Sequence, residues 1–290
     1  MQSKFKTPDP FTLEGVNFEG PSTIQSVLAT RDFQGNPSDI HLSTYPRSGT
    51  TWTSKILIGM VYGADFLQND FVFAEVFPYL EFDLNGITGL KNAEKVTKSP
   101  RMFKSHLPLH LANREIFSMS KKSIILVRNP KDVALSFFEF YRKSFLLKRY
   151  LKSPDISDFL DSFLEGKVNY GSWWNWTCNW IQHCRSHRDT NLIIHYEDLQ
   201  TNFEETVRSL NSFLQLPQMS DSMIDSLKEL TSFSKMKEKT DINKNTRDMS
   251  EVNIGETRRW ASFFPDGYAE KFDEKTIKAF EGDQIIEKFI

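Results

Sequence analysis

The sequence is poor in the residues that would staple a chain or thread it through a bilayer. Only two cysteines occur among its 290 residues, Cys178 and Cys184. Two cysteines make no disulfide framework, and a separation of six residues inside a helical pattern argues against a bridge. No stretch approaches the run of about eighteen apolar residues that spans a membrane. The opening "MQSKFKTPDPFTLEG" has no apolar signal-peptide run, so the expectation is a cytosolic protein. Neither sign of charge is in excess: 36 Lys and Arg meet 38 Asp and Glu, a net charge of -2. That gives no support to a general nucleic-acid or membrane-surface binder, and any anion site must be local. Glycine is scarce at 13, while Phe is abundant at 25, which predicts an interior packed by aromatic rings. The phosphate loop of common nucleotide hydrolases, G-x-x-x-x-G-K-[ST], is absent.

Two further patterns are decoys. "HCRSH", His183 to His187, has the spacing of a zinc-protease helix but lacks the glutamate, and Arg185 would repel a metal. It reads as a solvated helix end, and no metal is expected. Asn175-Trp176-Thr177 fits a glycosylation sequon within an aromatic helical pattern and reads as accidental. Trp173, Trp176 and Trp180 fall at helical spacing and are expected in the core.

What is present alternates β-rich runs with helical segments, with no repeat, low-complexity tract or linker, so residues 1–290 are expected to form one domain. "DIHLSTYP", "RMFKSHLP", "KSIILVRNP" and "NLIIHYEDL" read as four strands. After the first, Trp52, Ile56, Leu57, Met60 and Val61 share one helical face. Asn129-Pro130 supplies a cap and a first-turn proline for the helix through "KDVALSFFEFYRK". Thr201 with Glu204, or Asn202 with Glu205, offers a capping box for a helix ending near Leu214. The fold class expected is α/β: a mainly parallel central sheet flanked by helices, with a phosphate-binding strand-loop-helix. Ligands of such sheets bind beyond the carboxyl ends of the strands, where Arg47, His106, Arg128 and Tyr196 fall.

Three stretches bear chemistry. In "TYPRSGTTW" a strand turns through Ser48 and Gly49 into a helix, whose unpaired amides and positive dipole end attract an anion. Ser48, Thr50 and Thr51 add hydroxyl donors, Arg47 adds a planar fork, and Trp52 offers a ring for a base. The same residues also suit an ordinary helix start with Trp52 in the core. In "RNPKDVALS", Arg128 ends a strand and Ser136 lies two turns into the next helix; taken alone, a surface ion pair and a solvated serine are favoured. In "FKSHLP", Lys104 and His106 point to one face of a strand. A lysine there lowers the histidine pKa and favours the neutral, proton-accepting ring. A hydrogen-bonded structural histidine fits the pattern equally well.

Together these stretches resemble the cytosolic sulfotransferase family, whose pattern is T-Y-P-K-S-G-T-T-W, K-T-H-L-P, R-N-x-K-D-x-x-x-S, Y-E-D and T-S-F-x-x-M. This chain has "TYPRSGTTW", "KSHLP", "RNPKDVALS", "YEDL" and "TSFSKM" in that order, with "FPYLEF" and "GSWWNW" as added likeness. The resemblance spans roughly Ile40 to Asp266. It implies a sulfuryl transfer from 3′-phosphoadenosine 5′-phosphosulfate (PAPS) to a hydroxyl or amine of a small, aromatic or hydrophobic acceptor. By resemblance, Arg47, Ser48, Gly49, Thr50, Thr51 and Trp52 grip the 5′-phosphosulfate and adenine, and Arg128 and Ser136 hold the 3′-phosphate. Tyr196, Thr231, Phe233 and Met236 complete the nucleotide site. His106 is the implied base, Lys104 and Arg47 stabilise the moving charge, and Tyr79, Phe82 and Phe140 line the acceptor pocket.

The chain departs from the pattern in three places. Arg47 replaces a lysine. "NIGETRRW" stands where R-K-G-x-x-G-D-W is usual, keeping only Gly255 and Trp260, with Arg258 or Arg259 as substitutes for the 3′-phosphate grip. The usual C-terminal dimer signature is not visible in "RRWASFFPDGYAEKFDEK", which leaves monomer and homodimer open. Two rival readings follow: a non-catalytic nucleotide-binding relative, and a kinase-like phosphoryl transferase, which the absent G-K-[ST] disfavours.

Overall fold

In the computed structural model, the described residues are 8–69, 71–84, 86–112, 122–144, 147–236 and 256–290. The strands in chain order are β1 (Phe11–Leu13), β2 (Val16–Phe18), β3 (Ile40–Thr44), β4 (Asp83–Leu84), β5 (Ile87–Thr88), β6 (Met102–Ser105), β7 (Lys122–Val127) and β8 (Asn191–His195). The helices are α1 (Ile24–Arg31), α2 (Thr50–Tyr62), α3 (Phe73–Val76), α4 (Gly89–Lys95), α5 (Pro130–Lys143) and α6 (Ile156–Leu164). They continue with α7 (Trp173–Ser186), α8 (Tyr196–Thr201), α9 (Phe203–Leu214), α10 (Asp221–Leu230) and α11 (Tyr268–Ala279).

Four strands form one parallel sheet in the order β6-β3-β7-β8. Its centre, β7, is apolar along almost its whole length and alternates sides. Ile124 and Leu126 join the core under α2, α9 and α10, while Ile125 and Val127 join the core under α5, α6, α7 and α11. That period-two division of a continuous apolar run is what a strand covered on both faces requires. The aromatic interior is realised in the second of these cores, where Trp173, Trp174, Trp176 and Trp180 are all buried with Phe159, Phe163 and Phe272.

The register brings the strand ends level. Ser43 pairs with Ser105, Thr44 with Leu126, and Val127 with His195. The residues that follow therefore crowd one sheet edge, and strand order reverses there around β3, where a crevice opens in such sheets. Asn129 caps α5 as expected, accepting the Lys131 N–H at 3.0 Å, with Pro130 in the first turn.

Two local expectations are corrected. The fourth strand stops at His195, and Tyr196–Thr201 is helical, because Glu197 and Asp198 suit the positive end of a helix better than a buried strand. The capping box is also absent: Asn202 precedes α9 without a side-chain cap bond, and the Thr201 hydroxyl donates back to Glu197 O at 3.0 Å. With α8 ending directly against α9, these side chains finish one helix rather than open the next. Among the described residues both cysteines are free, and no helix is long and apolar enough to cross a membrane.

Candidate active site

The turn after β3 is built for close approach to a ligand. Arg47 takes a left-handed φ of 68° and Gly49 one of 107°, so two kinks in quick succession drop the chain into α2. Gly49 sits against the Tyr196 ring, where a Cβ would lie 2.5 Å from a ring carbon. The amides of the first turn of α2 consequently face the sheet edge without a side-chain cap. Ser48 Oγ, Trp52 Nε1 and Arg128 Nε are buried and have no hydrogen-bond partner among the described residues. Buried donors left unmade cost about 1–3 kcal/mol each, so three around one turn mark a place prepared for an anionic, hydrogen-bonding ligand. A phosphorylated nucleotide fits that donor set.

Arg128 and Ser136 are both buried rather than on the surface. Arg128 donates to Arg47 O at 3.2 Å and to Glu256 O at 3.2 Å, and its guanidinium lies 4.1 Å over the Tyr196 ring. Ser136 meets Arg47, whose Nε donates to its hydroxyl at 3.3 Å, and the Arg47 guanidinium also lies 4.4 Å over Phe140. Trp52 packs against Tyr196 at 5.4 Å and Phe233 at 5.9 Å. Met236 is buried in the same cluster, and the Thr231 hydroxyl donates to Leu227 O at 2.8 Å. Gly255 lies outside the described residues. Arg259 is committed to a bidentate pair with Glu139, at 2.9 and 3.2 Å, whereas Arg258 is exposed and anchored by its main-chain N–H to Asp132 at 2.7 Å.

His106 follows β6 by one residue. Its Nδ1 lies 2.8 Å from Thr44 O and 3.1 Å from Thr44 Oγ1. A carbonyl can only accept, so Nδ1 carries the proton and Nε2 keeps its lone pair. Burial holds the ring neutral, pushing its pKa down to about 3, with Lys104 and Arg47 adding to the effect. The lysine thus acts in the expected direction, but desolvation is the larger cause. The Thr44 hydroxyl also lies 2.7 Å from that of Thr50, which ties the histidine to the start of α2.

Lys104 points its ammonium among rings, 4.3 Å from Phe73, 4.6 Å from Tyr79 and 5.5 Å from Phe77. Tyr79 and Phe82 stack at 4.1 Å, and Tyr79 lies 4.8 Å from the His106 ring, so an aromatic wall borders the base. Three neighbours of His106 escaped sequence reasoning. Trp176, expected only as core, donates to His106 O at 3.0 Å. Tyr170 sets its ring edge-on at 5.3 Å. Glu81 accepts the His106 N–H at 2.7 Å. The one available signal for Glu81 was a lone carboxyl in the otherwise apolar "VFPYLEF". Among the described residues no group of three or more His, Cys, Asp or Glu is arranged to hold a metal ion.

Several known proteins are similar to this chain. The family model of the sulfotransferase domain matches residues 37–283. Sulfotransferase 1A1 of Canis lupus familiaris is 34% identical over 273 residues, covering 89% of this chain and 88% of the relative. Sulfotransferase 1E1 of Bos taurus is 33% identical over 277 residues, with 90% of each chain covered. Mouse sulfotransferase SULT7A1 complexed with PAP has a TM-score of 0.77 at 24% identity, over 96% of each chain. Retinol dehydratase in complex with androsterone and the inactive cofactor PAP has a TM-score of 0.78 at 19% identity, over 90% of this chain and 86% of that one. The family match covers most of the chain and both relatives exceed 30% identity, so the chain belongs to the sulfotransferase family.

Proposed function

We propose that this chain moves a sulfuryl group from PAPS to a hydroxyl or amine of a small, aromatic or hydrophobic acceptor, with His106 as general base. The observation that carries the reading is the His106 ring itself. It is neutral, its Nδ1–H is spent on Thr44 O, and it lies at the same sheet edge as the buried, unpartnered donors Ser48 Oγ, Trp52 Nε1 and Arg128 Nε. In-line transfer needs a proton acceptor and a charge-stabilising anion site held at fixed separation. Family membership, and the PAP held by two structural neighbours, support PAPS as donor.

On this reading residues 1–290 act as one catalytic domain. The amides and hydroxyls from Ser48 to Thr51 hold the phosphosulfate end, while Arg47 and Lys104 neutralise charge on the bridging and sulfuryl oxygens. Trp52, Tyr196, Phe233 and Met236 surround the adenosine, Thr231 contributes packing because its hydroxyl is already engaged, and Arg128, Ser136 and Arg258 meet the 3′-phosphate. Gly255 keeps its proposed place in that grip on resemblance alone. Tyr79, Phe82 and Phe140 wall the acceptor, which the stacking beside His106 supports.

The test is transfer of label from radiolabelled PAPS to a panel of phenols, steroid alcohols and arylamines. Transfer to at least one acceptor, without ATP, is expected. PAP binding by calorimetry with no transfer to any acceptor would make the chain a non-catalytic relative.

A further inference from the structure

Glu81 is a carboxyl with no place in the machinery described so far. It is fully buried at the end of a segment that runs beside β6, where Lys104 N–H donates to Pro78 O and Leu80 N–H to Lys104 O, each at 3.0 Å. Oε1 accepts the His106 main-chain N–H at 2.7 Å and receives a long contact from Tyr170 OH at 3.5 Å. Oε2 has no hydrogen-bond partner among the described residues. Burying this carboxyl is costly in its charged form, and the hydrogen bonds it accepts from His106, Ser105 and Tyr170 offset only part of that cost.

The groups facing it from each packed element are few. His106 and Ser105 come from the end of β6, Tyr170 from the turn before α7, Ser22 from the segment leading into α1 and Ser26 from the first turn of α1. The Ser22 hydroxyl lies 3.3 Å from Tyr170 OH, and Ser26 donates to the Glu81 carbonyl at 2.6 Å. The titratable ones are His106, held neutral, and Tyr170, whose phenol is pushed up by burial. Neither supplies a standing positive charge. The nearby cations, Lys104 and Arg47, bear on the histidine, where both oppose its protonation.

A base whose ring resists a proton needs a countercharge at the moment it accepts one. Resting on the sulfuryl-transfer reading above, we propose that Glu81 is a positioning residue for His106. Ionised, it fixes the histidine main chain through Oε1 and supplies the negative charge that stabilises the imidazolium formed when Nε2 takes the acceptor's proton. Protonated, it keeps the hydrogen bond but loses the charge. Burial pushes the Glu81 carboxyl up to about 7, so its ionisation falls in the working pH range, whereas that of His106 does not. An acid limb near neutrality then reports Glu81.

The experiment is the single-turnover sulfuryl-transfer rate of the full chain from pH 5.5 to 9 at saturating PAPS and acceptor, for the parent and Glu81→Gln. The parent should rise through a limb centred near 7, matching the midpoint of a carboxyl-stretch infrared titration taken as parent minus variant. Glu81→Gln should lose the limb and run flat, about 10–100-fold below the parent plateau, with PAP affinity retained. If Glu81→Gln fails to fold, Glu81→Asp keeps the charge but shortens the reach, and should retain a limb with a shifted midpoint and a lowered plateau. An active parent whose limb survives in Glu81→Gln, or a Glu81→Asp with parental midpoint and plateau, overturns this proposal alone. A parent that transfers no sulfuryl group overturns the underlying reading and this one with it.

Discussion

His106 combines two demands that pull apart. Burial and two cations keep its ring neutral, which makes Nε2 a lone pair rather than a donor, yet a conjugate acid of pKa about 3 is a weak acceptor by itself. The bound donor's anionic groups would raise that basicity, so on the proposed mechanism proton acceptance and nucleotide binding would be coupled at this one ring. His106→Ala should lower kcat by roughly 10²–10⁴-fold while leaving PAP affinity nearly unchanged. Single-turnover rates beside calorimetry separate the two, and near-normal turnover would remove His106 from the chemistry. Arg47 is the second residue on which the proposed reaction turns. Its guanidinium stays charged at ordinary pH and is a poor acid, but the departing phosphate needs its charge neutralised more than it needs a proton. Ser136 and Phe140 already hold that fork in a defined direction. Arg47→Lys should stay within about tenfold of the parent, and Arg47→Ala should lose on the order of 10²–10³-fold in kcat. A lysine variant gaining orders of magnitude over an inert parent would instead identify the arginine as an inactivating replacement.

The turn from β3 into α2 is where a single element commits the site. Its glycine takes φ 107° and leaves no room for a Cβ against Tyr196, a ring that also carries the Arg128 guanidinium. Gly49→Ala should therefore cost roughly 2–4 kcal/mol in urea unfolding and weaken PAP binding, since strain and displacement of Tyr196 act together. Unchanged stability and affinity would show that the turn does not need this conformation. Such elements were readable from sequence because their signals are local. Asn129-Pro130 opens a helix by its own chemistry, and the apolar run Ile124 to Val127 announces a strand covered on both sides. What stayed hidden depends on partners far along the chain. Glu81 meets His106 across 25 residues, and Ser136 meets Arg47 across 89, so neither contact leaves a periodic or spacing signal. The misread end of β8 is the exception, because Glu197 and Asp198 in the first turn of α8 are a local signal.

At the scale of the whole molecule, the groups buried around the site set how stability varies with pH. Glu81 is pushed up from 4.5 to about 7, so folding binds its proton more tightly; that contribution is present below about 4.5 and lost as pH rises through 7. Burial raises Glu19 and Glu197 as well, which adds to the same slope. His106 and His195 are pushed down from 6.5, to about 3 and about 4, so their contribution is present above 6.5 and lost as pH falls toward those values. Below 6.5 the two histidines oppose the raised carboxyls, and above it the carboxyls act alone. Stability should therefore fall as pH rises from 6.5 through 7, while below 6.5 the histidines oppose that slope. A tenfold change in proton affinity is worth about 1.4 kcal/mol, so Glu81 alone accounts for a loss of about 3 kcal/mol as pH rises from 4.5 through 7, most of it below pH 6.5. Denaturant unfolding of the parent and Glu81→Gln from pH 5 to 8.5 measures this directly, with the difference moving in favour of the glutamine variant by about 2–4 kcal/mol as pH rises. Two curves running parallel across that range would mean that Glu81 ionises in the folded chain as an ordinary carboxyl does. The negative charge would then cost the fold nothing extra at neutral pH, and the acid limb of catalysis would have to arise elsewhere.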